Sequence, residues 1–90
     1  MAAHLANARR NLAASMYADE LETLSAVRLA AGLSQAQLAV LAQTTQPYIA
    51  RIERGKLDPS TDMIARIAQA LGTSEDATFR AIRLQRSARG

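Results

Sequence analysis

Residues 33–55, LSQAQLAVLAQTTQPYIARIERG, constrain this chain more than any other stretch. They hold two short apolar patterns of helical period, parted by a polar, Thr-rich break. With Ser34 as N-cap, the first pattern puts Leu38, Leu41 and Ala42 on one face and small Ala39 at a crossing point. With Thr45 as N-cap, the second puts Ile49 and Ile52 inward, with Tyr48 on or beside that face. Gln46, Pro47, Ala50 and Arg51 are then left pointing outward near the helix start. Pro47 falls in the first turn, where its missing N–H costs little. The spacing therefore predicts two helices of two to three turns joined by about three residues.

Caps and breakers divide the remaining sequence in the same way. Residues 1–18 are Ala-rich, carry His4, Arg9 and Arg10, and contain no Gly or Pro. Leu5, Leu12 and Met16 recur at i, i+7 and i+11, so this extension can form an amphipathic helix, marginal by itself in water. Asp19 with Glu22 resembles a capping-box start, after which Leu21, Leu24, Val27 and Ala31 form an inward face that Gly32 ends. Gly55 stops the second helix of the central pair. Ser60 caps a further helix with Met63, Ile64, Ile67, Ala68 and Leu71 as its buried stripe, and Gly72 stops it. Ser74 caps the last, with Glu75 and Asp76 in its first turn, Phe79, Ile82 and Leu84 apolar, and Arg80, Arg83, Arg86 and Arg89 three apart outside. The expected fold is all-α: residues 1–18 an N-terminal helical extension, 19–73 the central domain, and 74–90 a C-terminal helix with a basic tail.

Ninety residues suit one small domain with a single core, and with two Tyr and one Phe that core must come from Ala, Leu and Ile. The formal charge of +3 is compatible with a polyanionic partner. The absence of cysteine excludes a disulfide framework and a thiolate metal site. No apolar run approaches the roughly 18 residues of a membrane span, and the amino terminus lacks the apolar region of a secretory signal. The expected setting is the cytoplasm, with no membrane partner. One histidine, no phosphate-cradling glycine loop and no carboxylate cluster free of capping roles speak against an enzyme, and no cofactor or metal is expected. The central pair, by contrast, has the form of a helix-turn-helix, whose second helix enters the major groove of DNA.

From about Leu24 to Leu71 the sequence resembles the Xre or phage-repressor (lambda repressor and Cro-like) helix-turn-helix family. The matching residues are Gly32-Leu33-Ser34-Gln35, Leu38-Ala39, Thr45-Gln46-Pro47-Tyr48-Ile49, Ile52-Glu53-Arg54-Gly55 and Pro59-Ser60. The resemblance implies a compact five-helix domain that binds operator DNA, usually as a dimer. One departure is Gln43, which stands where the family usually has a turn glycine. A left-handed backbone there costs a non-glycine residue on the order of 1 kcal/mol. Residues 1–18 lie outside the resemblance.

Gln46 and Arg51 are the candidate base readers, since Gln pairs bidentately with adenine and Arg with guanine. Pro47 and Ala50 are candidates for thymine methyl contact. Arg51 is equally consistent with a phosphate contact. Candidate phosphate ligands are Ser34, Gln35, Thr44, Thr45, Tyr48 and Lys56, which fix position and carry no sequence information. The resemblance further implies that Gln35 braces the recognition helix. It also implies that Arg28 and Glu53 form a largely buried structural ion pair between the first and third helices. Phe79 and Ile82 are the candidate dimer contacts.

The expected function is a sequence-specific DNA-binding regulator, a repressor working as a homodimer on a near-palindromic operator. The alternative keeps the fold and changes the job: an antitoxin of the HigA type, whose terminal segment covers a partner toxin. A pure protein-interaction module is also compatible with the fold.

Overall fold

A computed structural model describes residues 22–89 and resolves five helices: α1 (Leu24–Ala30), α2 (Gln35–Leu41), α3 (Gln46–Glu53), α4 (Thr61–Leu71) and α5 (Glu75–Arg89). Expectations for residues 1–21, including His4, Leu5, Leu12, Met16, Asp19 and Leu21, lie outside the described residues.

Four of the five helix starts fall where the sequence places them. Ser34 makes a complete capping box, its hydroxyl accepting from the Gln37 N–H while the Gln37 side chain accepts from the Ser34 N–H. Thr45 accepts from the Tyr48 N–H, Ser60 from that of Met63, and Ser74 from that of Ala77. The first start differs. Thr23, not Asp19, is the N-cap of α1, accepting from the Ala26 N–H at 3.2 Å, and Glu22 lies outside the helix. An acidic residue at Asp19 and another at Glu22 match the capping spacing, but the hydroxyl nearest the apolar pattern takes the role.

The helix ends share one closure. After each of α1 to α3, the residue beyond the cap donates back to the second-last helical carbonyl and the next residue to the carbonyl before that; after α4 the same pair of bonds falls one residue earlier, Gly72 N–H to the Gln69 carbonyl and Thr73 N–H to that of Ala68. The left-handed residue is Gly32, Gly55 or Gly72 in three of them and Gln43, at φ 59°, between α2 and α3. Gln43 is solvent-exposed, and the Arg66 guanidinium reaches its carbonyl at 3.4 Å. The turn between the central helices thus keeps the geometry a glycine would give, at the cost of left-handed strain.

The core gathers Leu24, Leu38, Ala39, Ala42, Ile49, Ile52, Ile67 and their neighbours from all five helices. The α5 helix belongs to this core, contributing Thr78, Ala81, Ile82 and Gln85, and packs against α1, α3 and α4. Leu41 does not join it: the side chain is 55% exposed. The buried stripe of α2 is Leu38, Ala39 and Ala42, and at about 100° per residue Leu41 lies roughly a quarter-turn outside its centre. Leu29, Val40 and Leu41 are all exposed. Leu33, Ala36, Val40 and Leu41 line a shallow, largely apolar depression on the domain surface.

Two contacts tie the last helix to the rest. The buried Gln85 side chain accepts through its Oε1 from the Ser25 N–H at 2.8 Å and from the Ser25 hydroxyl at 2.9 Å. At the surface Arg86 pairs with Asp58 of the α3–α4 loop.

Candidate nucleic-acid interface

The site is assembled where the starts of α2 and α3 meet the end of α1. Arg28, in the last turn of α1, and Glu53, the last residue of α3, form a forked ion pair. Arg28 Nε donates to Glu53 Oε2 at 2.6 Å and Nη2 to Oε1 at 3.0 Å. Arg28 Nη1 also donates to the Leu33 carbonyl at 2.9 Å, closing the α1–α2 turn. The expected pair is therefore present and buried.

From that pair a chain of side-chain hydrogen bonds runs to the surface. Gln35 Nε2 donates to Glu53 Oε1 at 3.0 Å, and Gln46 Nε2 donates to Gln35 Oε1 at 2.6 Å. Gln35 is half-buried at the first position of α2, while Gln46 is exposed at the first position of α3. The two glutamines lie eleven residues apart in sequence and side by side in space because the turn folds one helix start onto the other.

Around Gln46, Pro47 and Arg51 are exposed, as are Ser34, Thr45 and Lys56; Thr44 and Tyr48 are half-buried, Tyr48 leaning on the core. Ala50 is the exception. It is buried, with 6% exposure, and so is not on the outward face. The α3 helix packs against both α2 and α5, so its covered arc is wide enough to take in Ile49, Ala50, Ile52 and Glu53. A methyl is what such a crossing accommodates, which withdraws Ala50 from thymine contact. The amides of Thr44, Tyr48 and Lys56 are used in turn and cap bonds. Those residues have only side chains to offer a phosphate.

The electrostatics of this face are one-sided. Glu53 is the only acidic residue between Ser34 and Lys56, and Arg28 neutralises it below the surface. Arg51, Arg54 and Lys56 are exposed near the end of α3. Arg54 is a cation that helical periodicity does not single out, because it lies at the C-cap, beyond the regular helix. Elsewhere carboxylates pair with arginines: Asp62 with Arg66, Asp76 with Arg80, and Asp58 with Arg86.

Of the two candidate dimer residues, only Phe79 is at the surface, 44% exposed with the Arg83 guanidinium 5.7 Å from its ring centroid. Ile82 is 4% exposed and packs in the core, since α5 turns Thr78, Ala81, Ile82 and Gln85 inward. It is therefore no surface contact. Phe79 borders a groove of about 410 Å³ lined in part by Asp58, Pro59 and Arg83.

A helix-turn-helix family model matches residues 24–77, more than half of the chain. The chain belongs to the Xre-like helix-turn-helix family. The five helices of the described residues have a lambda-repressor-like architecture, with α2 and α3 as the motif helices of that fold. The chain is also 36% identical over 52 residues to an uncharacterised HTH-type transcriptional regulator of Mycobacterium tuberculosis, found in strains CDC 1551 and H37Rv. That alignment covers 58% of this chain and 37% of the relative, so the chain spans little more than a third of the relative's length. No solved structure matches it. Among the described residues no single helix is long and apolar enough to cross a membrane.

Proposed function

We propose that this Xre-like protein is a sequence-specific DNA-binding transcriptional regulator, a repressor that binds a near-palindromic operator as a homodimer. The observation that carries the reading is the placement of Gln46. It stands exposed at the first position of α3, held by Gln35, within a stretch, residues 34–56, whose one carboxylate pairs with Arg28. Gln46 and Arg51 are the proposed base readers, with Pro47 beside them. Ser34, Gln35, Thr44, Thr45, Tyr48 and Lys56 are the proposed phosphate contacts, joined by Arg54.

One α3 helix touches only a few base pairs, too few to mark a site in a genome, and a two-fold pair doubles the contacts. The proposed axis lies beside Phe79 on α5 and sets the two recognition helices about 34 Å apart, one turn of DNA. Selection of bound sequences from a random DNA pool, followed by anisotropy titrations across a salt series, tests the proposal. A recovered near-palindrome with a steep salt slope is expected. Indifference to both sequence and salt would defeat it.

A further inference from the structure

Resting on the DNA-reading role proposed for Gln46, we propose that buried Glu53 determines which base Gln46 accepts. It does so by fixing the donor–acceptor direction of the Glu53–Gln35–Gln46 chain.

An ionised carboxylate only accepts hydrogen bonds, whereas a glutamine amide has a donating end and an accepting end that exchange by a simple flip. Glu53 is held as a carboxylate acceptor by the Arg28 fork, with Oε2 taking Nε and Oε1 taking Nη2. The group meeting Glu53 Oε1 from the other side must therefore be the Gln35 amide nitrogen, found at 3.0 Å. That choice turns Gln35 Oε1 outward, and only a donor can meet it; Gln46 Nε2 does, at 2.6 Å. Reversing either amide would place oxygen against oxygen. The direction set at the buried pair is thereby passed through two side chains to the surface.

The remaining hydrogen-bonding capacity then follows by count. Gln46 keeps one N–H and its Oε1, a donor beside an acceptor. Adenine presents the complement in the major groove, an N7 acceptor and an N6 donor, while guanine presents two acceptors, N7 and O6. Guanine would set its O6 against Gln46 Oε1; meeting both N7 and O6 needs two N–H groups, and one of the two on Gln46 Nε2 is committed to Gln35 Oε1. Gln35 keeps one N–H, which can serve a phosphate without disturbing the chain. Glu53 thus acts as a positioning residue for specificity while remaining buried and out of reach of DNA.

The test compares affinity for the selected site with adenine or guanine at the base pair that Gln46 touches. Gln46→Ala in the full chain first locates that base pair. Gln35→Met then cuts the chain while leaving the Arg28–Glu53 fork intact, and Glu53→Gln replaces the one-way acceptor by a group that can also donate. In Gln35→Met the adenine preference is expected to fall about tenfold, beyond any uniform loss of affinity from a missing phosphate contact. In the free protein its Gln46 side-chain amide resonances should shift, a readout that needs no DNA. Glu53→Gln, where folded, should lose the same preference.

A preference abolished in Gln46→Ala yet undiminished in Gln35→Met would overturn the relay and leave the DNA-reading role standing. So would unmoved Gln46 resonances. Absence of any base preference in the unmodified protein would instead overturn the DNA-reading role itself, and the relay's part in specificity with it.

Discussion

Arg28 and Glu53 meet as a fork inside the domain, at 2.6 and 3.0 Å, with side chains only 10% and 5% exposed. A pair so enclosed is held by what its separation would strand. Removing one partner leaves a buried charge uncompensated, at about 3–5 kcal/mol. Arg28→Ala and Glu53→Ala are each expected to destabilise the fold by that order, read by urea unfolding. The double variant should lose less than the sum, because the second deletion removes a charge already stranded. Single variants as stable as the unmodified protein would contradict the enclosed-pair account.

Gln43 is the reverse case, a residue whose replacement should help. Its φ of 59° is costly for any side chain with a Cβ, and its exposed side chain has little packing to lose. Gln43→Gly is expected to raise stability by about 1 kcal/mol and Tm by a few degrees. Unchanged or lower Tm in a calorimetric scan would mean that the side chain stabilises the turn by more than the strain it carries.

Phosphate contact and base reading should separate under salt. Lys56→Ala should weaken binding to all sequences alike and flatten the slope of log affinity against log salt by about one. Gln46→Ala should relax preference at one base pair by roughly 1–3 kcal/mol. Equal losses on selected and random DNA for Gln46→Ala would remove it from the readers.

For the proposed dimer, Phe79 is the residue to change, because Ile82 is core and its alteration would report on folding alone. Phe79→Asp should shift sedimentation towards the monomer and lower operator affinity together. A dimer that persists with full affinity places the interface elsewhere, with residues 1–18 the next region to delete.

Much of this architecture is legible in the sequence because it is written in local chemistry. Ser34, Thr45, Ser60 and Ser74 act within three residues of themselves, and Gly32, Gly55 and Gly72 act on the turn they occupy. The Arg28–Glu53 pair was legible only through family resemblance, since nothing within 25 residues of sequence links the two. The residues misplaced by periodicity alone are those whose environment is set by a second helix. Ala50 is covered because α3 is flanked on two sides, and Leu41 is uncovered because none of the described helices lies over that edge of α2. Ile82 looks like a surface partner for Phe79 at helical spacing, but α5 is rotated to bury it. Gln85 carries no local signal of burial at all.

Gln85 also bears on the order in which the molecule can be made. Ser25 is the second residue of α1, and its N–H has no acceptor within its own helix; Gln85, 60 residues later, supplies one. A seven-residue helix does not persist unaided, so α1 waits on an acceptor 60 residues further along. During synthesis the first helix therefore emerges long before the residue that completes it, and the core stays open until α5 has cleared the ribosome. A nascent chain halted at residue 77, where the family match ends, carries the whole helix-turn-helix but lacks Ala81, Ile82 and Gln85. Such a chain should remain a substrate for chaperones and proteases, so that docking of α5 is the event that closes the domain's core.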